Sequence, residues 1–146
     1  MTHIDLNTIV IEKLKKIASP GGNIMHFLKS SSNGYRKFGE VYFSWINENA
    51  IKAWKKHKKM TLNLVVPIGK VKFVFHDNKN PTIFREVIIG ENNYCRLTVP
   101  PGIWFGFHGI YDKPSLLANV ADIEHDENEV ERVDKEFFSF GWGKDL

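Results

Sequence analysis

Apolar and polar positions alternate along most of this chain with the two-residue period of strands. In "KVKFVFHD" (70–77), Val71, Phe73 and Phe75 fall on one side, and Lys72 and His76 on the other. "GEVYFSWI" (39–46) reads as a strand, and Ser44 shares a face with Tyr42 by the same alternation. "IKAWKKHKKMTLNLVV" (51–66) holds one or two strands. "TIFREVIIG" (82–90), "YCRLTV" (94–99), "IWFGFHGI" (103–110) and "SLLANVADI" (115–123) add more. Turn signals separate them: Asn33-Gly34, "NENA" (47–50), "PIGK" (67–70), "NKNP" (78–81), "ENN" (91–93), "PPG" (100–102) and "YDKP" (111–114). "IDLNTIVIEKLKKI" (4–17) predicts a strand or a short helix, ended by "ASPGGN" (18–23), and "IMHFLKS" (24–30) predicts a β segment. Helical periodicity is nearly absent before the acidic tail "EHDENEVERVDKEF" (124–137), which reads as a solvated helix or a partner-facing arm. Turns at this spacing predict an all-β sandwich or barrel. No repeat, low-complexity stretch or linker divides it, so one domain over 1–146 is expected, with its core at about 36–126 and a C-terminal arm at 127–146.

Composition narrows the function classes. With 146 residues, 42% of them hydrophobic and 13% aromatic, the chain has enough apolar side chain for a real core. The net charge of +3 rests on many lysines and only four arginines, a weak signal for a nucleic-acid module. The single Cys95 excludes an internal disulfide framework and a cysteine-based zinc cluster. The N-terminal stretch lacks a secretory apolar core, and no apolar run approaches the roughly 20 residues of a membrane span. A soluble cytoplasmic protein, with no membrane or nucleic-acid partner, is the expectation.

The candidate chemistry lies in "IKAWKKHKKMTLNLVVPIG" (51–69). Here His57 sits among Lys52, Lys55, Lys56, Lys58 and Lys59. These residues form either a basic patch or a histidine strand whose lysines lower the imidazole pKa and attract phosphate. Gly69 follows His57 by twelve residues, and "VPPGIWFGF" (99–107) is a Pro-x-Gly turn entering an aromatic strand. Together these features resemble the two motifs of cupin jelly rolls. The chain is similar, over residues 36 to 142, to the dTDP-4-dehydrorhamnose 3,5-epimerases and the dTDP-sugar 3,4-ketoisomerases. The resemblance implies a cupin-type double-stranded β-helix. It implies metal-free proton abstraction beside the ketone of a nucleotide-activated 4-keto-6-deoxy sugar, in surface-polysaccharide synthesis. A homodimer is implied as well.

The same resemblance assigns roles. Lys52 and Ala53 stand where the family has Arg-Gly, Lys55 stands at its first histidine, and His57 stands at the second histidine of the ketoisomerases. His57 is then the general base or acid, and Tyr42 the opposing proton donor. Lys55 is a further catalytic candidate and, with Lys52 and Arg96, a diphosphate ligand. Trp54, Asn63, Phe105 and Asn119 are expected to line the substrate pocket. Phe105 replaces the histidine after the Pro-x-Gly turn, and no tyrosine lies near Ala118 or Asn119. These departures keep open a non-catalytic sugar or nucleotide-sugar binding cupin. A metal cupin would need His-x-His, a glutamate and a later histidine. Lys55, the Thr61–Leu62 pair and Phe105 fill those places, so no metal and no cofactor are expected. His76 and His108 are expected at the surface or in hairpins, and His125 in solvent among acids.

Overall fold

The computed structural model describes residues 5–142. Twelve strands follow in chain order: β1 (Val10–Lys13), β2 (Lys16–Ile17), β3 (Ile24–Met25), β4 (Glu40–Ile46), β5 (Ile51–His57) and β6 (Leu62–Ile68). After them come β7 (Lys70–His76), β8 (Arg85–Gly90), β9 (Cys95–Val99), β10 (Trp104–Gly109), β11 (Ser115–Ala121) and β12 (Val130–Arg132). Among the described residues the helical content is two three-residue 3-10 turns, Leu6–Thr8 and Glu127–Glu129. The predicted all-β class is what forms.

Two five-stranded antiparallel sheets carry the fold, ordered β1-β9-β6-β11-β4 and β12-β5-β10-β7-β8; β2 and β3 form a small hairpin. From β4 to β7 the chain changes sheet at every step, and β9 to β12 alternate again. This is the double-stranded β-helix of a cupin jelly roll. The corners fall on the turn signals. At Gly69, φ is 91°, and at Gly102 it is 92°, both in the region that favours glycine. The Gly102 N–H donates to the His57 carbonyl at 2.7 Å, which ties the Pro-Pro-Gly corner to the end of β5.

Leu62, Leu64, Leu97, Val99 and Leu117 of the first sheet meet Val71, Phe73, Phe75, Phe105 and Phe107 of the second. Both sheets are also covered over part of their outer faces. Leu14, Met25 and Phe27 pack over Val65, Tyr94 and Ala118. Residues 133–142 form a strap over the second sheet, where Phe138, Phe140 and Trp142 meet Trp54, Val74 and Trp104. That strap buries His76 and His108, both expected at the surface or in hairpins. His76 stacks on Phe84 with ring centroids 4.6 Å apart.

The ends of the chain are more integrated than the sequence suggests. β1 pairs with β9, and β12 pairs with β5, so the sheets extend beyond 36–126 on both sides. The acidic tail is neither a helix nor a free arm. It supplies an edge strand and then the strap. No helix among the described residues is long and apolar enough to cross a membrane.

A Cβ at Gly69 would collide with the Ser115 side chain, and the backbone there disfavours other residues. Gly69→Ala is expected to lower the unfolding free energy by about 1–3 kcal/mol, read from the denaturant midpoint.

Candidate active site

The site is built on β5. Phe105 pairs with Lys55 but Phe107 pairs with Lys52, so two residues, Ala53 and Trp54, lie opposite Gly106. This bulge sends the Trp54 ring outward into the aromatic strap, where its Nε1–H donates to the Lys135 carbonyl at 3.1 Å. Lys55 and His57 turn inward. The lysine crowd therefore disperses. Lys56 and Lys58 face Glu131 at 3.3 and 3.8 Å, and Lys52 donates to the Trp45 carbonyl at 3.1 Å. Of the lysines around His57, Lys55 is the one that walls the interior, with its Nζ 5.6 Å from the Phe105 ring centre.

His57 is buried, and its Nδ1 meets the buried Glu129 carboxylate. The other Glu129 oxygen accepts from the backbone N–H groups of Lys59 and Met60, at 3.0 and 3.3 Å. Burial pushes this carboxyl up, but the bonds from His57 and the two N–H groups outweigh it and hold the acid below its usual value. A carboxylate can only accept, so Nδ1 carries the imidazole proton and Nε2 keeps its lone pair. That Nε2 is buried and has no partner among the described residues. Burial is the main force lowering the His57 pKa; Glu129 opposes it, and Lys55 and Arg132 add to it. The direction matches the sequence expectation, but desolvation rather than the lysine cluster is its chief cause.

The opposite wall comes from the first sheet. Tyr42 and Ser44 on β4, Leu62 and Leu64 on β6, and Leu117 and Asn119 on β11 enclose a small interior space with Lys55, Phe105 and Phe107. Asn119 donates from Nδ2 to the Tyr42 hydroxyl at 3.0 Å and accepts the Asn63 N–H at 3.1 Å, which fixes both side chains. Burial raises the Tyr42 pKa, Asn119 moderates the rise, and Glu40 and Glu129 add to it. Ser44, Lys55 and Phe107 also border an outer pocket of about 350 Å³, together with Lys52, Trp54 and Arg132.

The sequence-predicted residues thus divide. Tyr42, Lys55, Phe105 and Asn119 share the interior space, with His57 stacked against Phe105 at 6.1 Å. Lys52 and Trp54 border the outer pocket. Asn63 and Arg96 lie elsewhere. Leu62 and Leu64 on β6, and Cys95 and Leu97 on β9, take the inner face, so alternation turns Asn63 and Arg96 outward. Asn63 donates to the Gly34 carbonyl at 3.1 Å and accepts from Thr98 at 2.6 Å. Arg96, 1% exposed, donates to the carbonyls of Phe27 and Asn33 and pairs with Glu12 at 2.6 Å. These two side chains fasten the N-terminal segment from the outer face of the sheet.

Sequence reasoning missed Glu129 and Arg132. β12 places Val130 opposite His57 and Arg132 opposite Lys55. The available signal was Val130 and Val133 interrupting the acidic run. Among the described residues no three His, Cys, Asp or Glu side chains group as a metal-ligand set.

No protein-family model matches the chain. The crystal structure of a dTDP sugar isomerase from Desulfovibrio desulfuricans G20 is 36% identical, with a TM-score of 0.86, over 93% of this chain and 91% of that one. The chain belongs to the dTDP-sugar isomerase family. The family's cupin fold extends to QdtA of Thermoanaerobacterium thermosaccharolyticum, a sugar 3,4-ketoisomerase solved with TDP. QdtA is 20% identical, with a TM-score of 0.73, over 92% of this chain and 93% of that one. A probable low-salt glycan biosynthesis epimerase, Agl13 of Haloferax volcanii, is 26% identical over 121 residues, 79% of this chain and 78% of that protein.

The buried imidazole links the site to stability. Its native pKa lies below the ordinary 6.5, so the unfolded chain binds a proton that the native chain refuses as pH falls below that value. The His57 contribution is complete above the unfolded value and is lost as pH falls through the native one. The unfolding free energy of the wild type is expected to drop more steeply than that of His57→Gln between about pH 7.5 and about pH 5.5, measured by denaturant titration.

Proposed function

We propose that the protein is an epimerase or ketoisomerase of a nucleotide-activated 4-keto-6-deoxy sugar, a dTDP sugar in the first instance, serving surface-polysaccharide synthesis. The observation that carries the reading is the His57–Glu129 pair, with a free Nε2, stacked on Phe105, which walls the same enclosed space as Tyr42. His57 takes a proton from the carbon beside the ketone, and the C–H electrons form an enediolate. Glu129 stabilises the imidazolium and fixes the ring. Tyr42 returns a proton from the opposite side. Return to the same carbon on its other face is epimerisation; return to the former carbonyl carbon is ketoisomerisation. Lys52 and Arg132 border the outer pocket and suit a diphosphate. A cytoplasmic location accords with such a substrate. The lysines paired with Glu131 speak against a surface for nucleic-acid phosphates.

A purely binding cupin would need neither base nor acid, and the buried His57–Glu129 pair and Tyr42 support the catalytic reading over it. With a dTDP-4-keto-6-deoxy sugar in deuterated water, the wild type is expected to place deuterium next to the ketone. His57→Gln is expected to lose that exchange while still being stabilised by TDP in a thermal-shift assay. Glu129→Gln is expected to slow exchange by about 10²-fold. Binding of TDP without exchange in the wild type would leave only the binding reading.

We also propose a homodimer. Val41, Phe43 and Trp45 are exposed along one face of β4, an edge strand of the first sheet, which supports a second copy as the cover. Sedimentation is expected to show a dimer that Phe43→Lys weakens.

A further inference from the structure

Lys55 occupies a position that no other charged side chain shares. Among the described residues it alone of the charged groups borders both the interior space and the outer pocket. Lys52 and Arg132 reach only the outer pocket. Each neighbouring cation has a polar partner of its own. Lys52 bonds to the Trp45 carbonyl, Lys56 faces Glu131, and Arg132 is held by Glu127 at 2.6 and 3.3 Å. Lys55 pairs with no carboxylate among the described residues, and its ammonium lies over the Phe105 ring. Burial, then Arg132 and Lys52, make it more acidic than an ordinary lysine. A desolvated, unneutralised ammonium calls for an anion, and the substrate must bring it.

Two substrate oxygens are available. The diphosphate is charged throughout, and the outer cations already suit it. The ketone oxygen becomes negative only when the neighbouring carbon loses its proton. The inner space walled by Tyr42, Asn119 and Phe105 is only about 20 Å³, so the sugar ring is placed at its mouth in the outer pocket, which Lys55 also borders. We propose that Lys55 is the electrophilic catalyst of this site, facing the sugar ketone and protonating its oxygen as the carbon is deprotonated. This rests on the isomerase reading above.

The step balances without a further reagent. The C–H pair becomes the new C=C bond, the carbonyl π pair moves to oxygen, and that oxygen takes a proton from the Lys55 ammonium. A neutral amine and an enediol result. When Tyr42 protonates carbon, the enediol hydroxyl that becomes the product ketone returns its proton to Lys55. His57 and Tyr42 then recover their starting protons through solvent. A positioned donor of this kind acts on the transition state far more than on the bound substrate.

The test uses the full chain with Lys55→Met, whose stem fills the same space without the charge, and Lys55→Gln as a second, polar replacement. Deuterium exchange and turnover are measured at saturating dTDP-4-keto-6-deoxy sugar, and TDP affinity by calorimetry. The expected result is a fall in both rates of about 10²–10³-fold, with TDP affinity held within about twofold. Weaker TDP binding with saturated turnover intact would make Lys55 a diphosphate ligand and overturn the proposal. Wild-type rates in both variants would also overturn it and leave the isomerase reading standing. Absence of exchange in the wild type would remove the reaction itself, and the assignment of Lys55 with it.

Discussion

The Glu129 carboxylate is the contact on which the rest of the site depends. It accepts the His57 Nδ1 proton and two backbone N–H groups just beyond β5. A buried carboxylate without such donors would be costly, and a buried histidine without it could turn to the other tautomer. One acidic side chain therefore sets the imidazole tautomer, the ring orientation and the path of the chain at 58–60. Backbone bonds extend the arrangement. Lys58 donates to the Glu129 carbonyl, and Trp54 and Val133 exchange N–H to carbonyl bonds at 3.0 and 3.1 Å. The strand that bears the candidate chemistry is thus gripped along its length by residues distant in sequence.

Much of the fold was legible in the sequence because turns and alternation are local. Gly69 and the Pro-Pro-Gly corner mark changes of sheet, and Val71, Phe73 and Phe75 point where their spacing says. The strand positions of Lys55 and His57 were legible for the same reason. The sidedness of Asn63 and Arg96 was not. Residues 62–66 of β6 and all of β9 are buried on both faces, so polar and apolar positions no longer report which face meets the interior. Glu129 escaped for a different reason. Within an acidic run one carboxylate resembles its neighbours, and only the pairing of β12 on β5 separates it from them.

Phe105 and Lys55 stand where the resembled epimerases place histidines, and the two replacements work together. Phe105 contributes an apolar face that excludes water from His57 and lies beneath the Lys55 ammonium. Aromatic and cation thus meet where two imidazoles would have met. An imidazole offers a neutral base at neutral pH. A lysine in the same place offers a cation that burial and neighbouring charge make readier to release its proton. The two replacements leave a cation and an aromatic ring beside the buried imidazole.

The strap and β12 also place the chemistry in the order of synthesis. Every strand of the first sheet is complete once residue 121 has been made, and β5, β7, β8 and β10 of the second are complete before then. Glu129 and the aromatic residues that cover Trp54 come later. The imidazole on β5 is therefore oriented by a side chain 72 residues later, one that follows every strand but β12.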